Sequence, residues 1–200
     1  MGNITTLFVP EEPQPLIKNH SYPEIFIDSG YITKSQLILQ FNTHTVHSYH
    51  SYSIHNYFSK QKNNKLFDAI PTKSVDDGDN QIIISDINNH IVCILNRDKW
   101  DTVSIQNKDK KCIASIIAYY DHFELHLSED DMDLLVYKLE GDFEHNHFII
   151  KNIDEKVVCK VSSIYGNQEM DNNFGVRICK NMDIMIVIAM CMGINMFTHD

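Results

Sequence analysis

The stretch Ile184-Met185-Ile186-Val187-Ile188-Ala189-Met190-Cys191-Met192-Gly193-Ile194-Asn195-Met196-Phe197 decides how this chain is read. It reads as a helix, with Asp183 in front of it as a candidate N-cap. No polar face interrupts its first three turns, and a helix apolar all round must be wrapped by protein or by lipid. At ~1.5 Å per residue it spans about 21 Å, short of the ~30 Å hydrocarbon core of a bilayer, which favours a helix buried in its own protein. If it were instead inserted in a membrane, Arg177 and Lys180 before it and only Thr198-His199-Asp200 after it would leave the body of the chain in the cytoplasm.

Working outward from that segment, the preceding chain repeats one unit: strand, short polar turn, strand. Ile82 to Asp86 passes through Asn88-Asn89-His90 into Ile91 to Leu95, and Val103 to Gln106 passes through residues 107–111 into Cys112 to Ile116. Phe123 to Leu127 turns at residues 128–131 into Leu134 to Tyr137, and Phe148 to Lys151 turns at residues 152–155 into Val157 to Val161. Tyr52 to Phe58 reads as an earlier strand of the same kind. Asn and Asp suit these turns because they tolerate left-handed backbone and hydrogen-bond their own main chain. Serial hairpins at this spacing imply an antiparallel meander that closes, so that no edge is left unpaired. The fold class expected is therefore mainly β with one buried C-terminal helix, over residues 183–197.

The first 30 residues differ. Pro10, Pro13, Pro15 and Pro23 fall there with Glu11 and Glu12, so residues 1–30 read as a tail and residues 31–200 as the folded domain. Pro10-Glu11-Glu12-Pro13 satisfies P-x-x-P but has no flanking basic residues, so an extended spacer is the plainer reading. Met1-Gly2-Asn3-Ile4-Thr5-Thr6 fits the N-myristoylation consensus, which makes Gly2 a candidate lipid attachment point; the alternative is a frayed terminus. Five scattered cysteines with no C-x-x-C pair indicate reduced thiols and a cytosolic face. The 200 residues carry 17 Lys and Arg against 27 Asp and Glu, a formal charge of −10, which disfavours a nucleic-acid backbone as partner and, unless something else anchors the chain, an anionic membrane surface.

A β-meander ending in a wholly apolar helix resembles the Tubby-like architecture, a closed antiparallel β-barrel around a central hydrophobic α-helix. The order of Phe148-Ile149-Ile150-Lys151-Asn152, the Val157-Val158 strand, Asn172-Asn173-Phe174-Gly175-Val176 and the helix after Asp183 is similar to that of the phospholipid scramblases. Asn173-Phe174-Gly175 is the sharpest part of the likeness, which covers roughly Tyr31 to Asp200. LURP-one-related plant proteins share the architecture and are the nearest competitor. The resemblance implies association with the cytoplasmic face of a membrane, phospholipids as partners, and ATP-independent movement of lipid between leaflets. The competing reading is a Tubby-like or LURP-one-like module that binds a lipid or protein without transport. The cysteine cluster at which scramblases are acylated has no counterpart between Arg97 and Asp101.

The family associates calcium with the segment around Phe174-Gly175, which here would offer Asp171, Asn172, Asn173, Asn181 and Asp183. Two carboxylates are few for a cation that takes six to eight oxygens, so any site would be weak; a polar turn with Asp183 as N-cap explains the same residues. Lys108, Lys110 and Lys111 form the densest basic run and are the natural contacts for an anionic headgroup, or else a solvated hairpin tip. His44, His47, His50 and His55 lie among tyrosines, but a strand points alternate side chains to opposite faces, against convergence on zinc. The acidic runs at residues 76–79 and 129–133 lack the ligand spacing of a calcium loop and read as solvated. The sequence contains no nucleophile elbow, zincin, P-loop or dinucleotide fingerprint, and the expectation is a protein that is not an enzyme.

Overall fold

The computed structural model describes residues 27, 31–46, 49–57, 64–73, 80–129, 132–163 and 173–198. Their elements are β1 (Leu37–Val46), β2 (Tyr49–Asn56), β3 (Lys65–Lys73), β4 (Asn80–Asp86), β5 (Ile91–Lys99), β6 (Thr102–Asn107), β7 (Cys112–Ala118), β8 (His122–Glu129), β9 (Met132–Asp142), β10 (His147–Asn152), β11 (Val157–Ser163), β12 (Phe174–Ile178) and α1 (Ile184–Thr198). Each strand pairs antiparallel with its neighbours in the chain, and β12 returns to β1 to close a barrel. The seam runs from Leu37↔Ile178 to Phe41↔Phe174, where the two buried phenylalanine rings stack with centroids 4.4 Å apart. Cross-strand aromatic pairs of this kind are a main source of sheet cohesion.

The hairpins are built by one device. Asp86 Oδ1 accepts the N–H groups of Asn88 and His90, Asn107 Oδ1 those of Asp109 and Lys111, and Asn152 Oδ1 those of Asp154 and Lys156. The first turn residue is therefore Asx because its side chain satisfies two backbone donors. The left-handed position three residues on is filled by Asn89, Lys110 and Glu155, with φ near 60°, so only one of the three turns uses an Asx residue there. The expected strands are all present, together with three not separately delimited in the sequence reading: β1, β3 and the five-residue β12. Pro71 sits within β3, past Tyr52↔Ala69, the last registered pair with β2, where a missing donor is tolerated.

Helix α1 fills the cylinder. Every residue from Met185 to Met196 is buried, and the helix belongs to one continuous core with the inward faces of the strands. Its closest backbone approach is to β5 and β6. Gly193 permits a tight fit to β7 as well, since a Cβ there would fall 2.3 Å from Ile116 Cδ1. The amide of the helix, Asn195, donates to Cys191 O at 3.0 Å and accepts from the Tyr52 hydroxyl at 3.4 Å. Burial pushes the Tyr52 hydroxyl up to about 12 and raises the Cys93, Cys159 and Cys191 thiols, which keeps them neutral and unreactive. No helix among the described residues is long and apolar enough to cross a membrane.

Candidate functional site

Because consecutive strands run in opposite directions, the barrel has two chemically distinct ends. The β4–β5, β6–β7, β8–β9 and β10–β11 connections and the passage from β12 into α1 gather at one end, the entry rim. The β5–β6, β7–β8 and β9–β10 connections and the end of α1 gather at the other, the exit rim.

At the entry rim Asp183 fixes the start of α1. Its Oδ1 accepts the N–H of Met185 at 2.7 Å and its Oδ2 that of Ile27, also at 2.7 Å. Thr33 ties the incoming chain to the same corner: its hydroxyl accepts the Met182 N–H at 2.9 Å and donates to Cys179 O at 2.8 Å. This clamp holds Tyr31 and Ile32 beside the barrel mouth. With Leu66, Phe67, Ile87 and Ile184 they line an apolar cleft of about 290 Å³, in which Tyr31 and Phe67 meet edge to face at 5.2 Å. Asp86 borders the cleft but is spent inside its own turn. The His90 backbone N–H first of all, then the Asn88 N–H and after it the His90 ring, hold its carboxyl below the usual range.

Lys108, Lys110 and Lys111 are all exposed on the β6–β7 tip, one hairpin along the same rim from Ile87. Exposed Lys34, Lys156 and Lys180 belong to that rim too, as do exposed Asp109, Asp154 and Glu155, with Asp154 3.7 Å from Lys156. The lysine run was visible in the sequence; the cleft beside it was not. Its one sequence signal is Ile87, an isoleucine 61% exposed inside the polar turn after Asp86.

Of the five residues considered for calcium, the three described ones are not gathered together. Gly2, Asp171 and Asn172 lie outside the described residues. Asn173 stands before β12, its Oδ1 accepting the Thr43 N–H at 2.8 Å, whereas Asn181 and Asp183 follow β12 at the entry rim. A strand of that length separates them by about 16 Å. Both Asp183 carboxylate oxygens already accept N–H groups, so the described members do not form one oxygen cage. Among the described residues no three His, Cys, Asp or Glu side chains are grouped to hold a metal. Of the histidines, His44 and His55 both turn Nε2 to the buried Ser53 hydroxyl, at 2.7 and 3.0 Å, while His55 Nδ1 faces Asn64 Oδ1 at 2.9 Å. His47, and the side chain of His50, lie outside what is described.

The exit rim is aromatic and acidic. Arg97 Nη1 donates to Met196 O at 2.9 Å and Nη2 to Trp100 O at 3.3 Å, and its guanidinium lies 5.4 Å from the Phe197 ring centre. The end of α1 has no basic residue of its own, so β5 supplies the cation that the helix carbonyls favour. Beneath the rim Phe197, Phe123, Phe143 and Phe148 form a chain of rings 4.6 to 5.2 Å apart.

A crystal structure of a protein from Arabidopsis thaliana is similar to this chain, with a TM-score of 0.62 over 86% of this chain and 99% of that one, at 12% identity. At that identity the likeness speaks for the fold alone. No protein-family model matches the sequence, and no curated protein matches it significantly.

Proposed function

We propose that this chain is a peripheral phospholipid-binding module of the Tubby-like kind, which sets its entry rim against the cytoplasmic face of a membrane without transporting lipid. The observation that carries this reading is the apolar cleft of about 290 Å³ on the same rim as the exposed tip Lys108, Lys110 and Lys111. The lysines meet an anionic headgroup and the cleft takes the first part of an acyl chain. Each lysine near an anionic surface contributes about 1 kcal/mol. Five free cysteines are in keeping with a reducing compartment. Binding is preferred to scrambling because the apolar helix is enclosed by strands and presents no face to lipid.

Flotation with vesicles of phosphatidylcholine, with and without phosphatidylserine, tests the reading. The expected result is capture by the anionic vesicles alone, weakened about a hundredfold by joint Lys108→Glu, Lys110→Glu and Lys111→Glu and weakened separately by Ile87→Asp. Undiminished capture of the triple variant would overturn it. In the same vesicles, a fluorescent-lipid assay should show flip no faster than in protein-free controls; acceleration would restore the scramblase reading.

A further inference from the structure

At the exit rim, the β5–β6 and β7–β8 connections put three aromatic side chains in solvent. Trp100 is 80% exposed, Tyr119 47%, and Tyr120 fully exposed. The two tips are joined by a hydrogen bond from Ala118 N–H to Asp101 O at 2.8 Å, so the rings belong to one surface. That surface is rigid: Arg97 bonds the Trp100 carbonyl to the end of the buried helix, and the Tyr119 ring stacks on His122 at 4.8 Å. Burying these rings in the core would have been favourable, and nothing in the barrel requires a tryptophan at that tip. Large exposed aromatics on a fixed frame are the composition of a binding hot spot.

The charge around them selects the partner. Asp98 and Asp121 are exposed and Asp101 half-exposed, against the exposed cation Lys99, while Arg97 is engaged with the helix end. The side-chain hydrogen bond from His122 holds the Asp121 carboxyl below its usual range, so it is ionised at neutral pH. Carboxylates beside indole and phenol faces repel an anionic leaflet but receive guanidinium or ammonium groups twice over, by ion pairing and by cation–π contact.

We infer that the exit rim is a docking surface for a cationic, arginine-rich segment of a protein partner. The partner's guanidinium groups stack on Trp100 and Tyr120 and pair with Asp98 and Asp121. A module so built engages lipid at one end and a protein at the other.

The chain has a single tryptophan, so Trp100 emission reports on this surface directly. Titration of the full chain with a nona-arginine peptide should give a saturable change in that emission. A nona-glutamate peptide and phosphatidylcholine vesicles should give none. Tyr120→Ser and the double substitution Asp98→Asn, Asp121→Asn should each weaken the peptide at least tenfold, with far-ultraviolet circular dichroism unchanged. Both sites are exposed, so neither change threatens folding. If Trp100 emission fails to respond to the cationic peptide, if the variants bind as tightly as the parent, or if the phosphatidylcholine vesicles shift the emission to the blue, the inference is wrong; the last outcome would assign the rim to membrane insertion.

Discussion

The two ends of the barrel hold the same helix by opposite means. At the entry rim an acidic residue next to α1 in sequence caps it: Asp183 binds Met185 and reaches Ile27. At the exit rim a basic residue 99 positions away does so: Arg97 binds Met196. Each charge matches the sign that the helix dipole favours at that end. The consequence for the surface is also opposite. The entry rim leaves an apolar cleft one hairpin from a lysine-bearing tip, whereas the exit rim leaves aromatic rings beside Asp98, Asp101 and Asp121, with Lys99 the exposed cation between them. A barrel with a fixed hub can thus present two chemically unlike faces without any change in its wall.

The largest expected effect strikes both ends together. Gly193→Leu drives a side chain into Ile116 and should cost about 3 kcal/mol or more in urea denaturation, since overpacking a tight core forces off-rotamer shifts. Next comes Asp183→Ala, which removes the N-cap and the Ile27 tether; a loss of about 2 kcal/mol is expected, with Asp183→Asn recovering the cap alone, because its amide nitrogen cannot accept the second N–H. Arg97→Ala should cost about 1.5 kcal/mol through the lost charged hydrogen bond and cation–π contact, and should also loosen Trp100, seen as a red-shifted emission.

A smaller effect separates the rims by pH. Asp86 is held low first by a backbone N–H from His90, but Asp121 and Asp142 by the imidazoles of His122 and His145. His90→Ala should therefore leave Asp86 titrating low, while His122→Ala and His145→Ala should return their partners toward ordinary carboxylate values in NMR titrations. All three carboxyls are depressed in the folded state. Their contribution is present above the unfolded carboxylate pKa, near 4, and is lost as pH falls through the lower folded values.

How much of this was legible depended on sequence distance. The helix, its N-cap and the hairpins with Asp86, Asn107 and Asn152 are local patterns, and each stands close to where the residues put it. β12 was harder because five residues, one of them Gly175, carry little alternation, and β3 because Pro71 interrupts it. The rims were not legible: they follow from the parity of the strand connections and from contacts such as Ile27 with Asp183, 156 residues apart. Of the calcium grouping implied by resemblance, the described members Asn173 and Asp183 stand at opposite ends of β12, a separation that proximity in sequence does not reveal. The exposed lysine tip needed no long-range information and was read directly.

Hydrogen exchange at α1, with and without anionic vesicles, tests most directly the claim that the apolar helix is the enclosed hub of the barrel. The amides of residues 187–196 should exchange as slowly as the slowest strand amides, only through global unfolding, and vesicles should slow helix and slowest strand amides by the same factor. Exchange faster than that of the barrel wall, or protection of the helix that changes relative to the wall when vesicles are added, would contradict it.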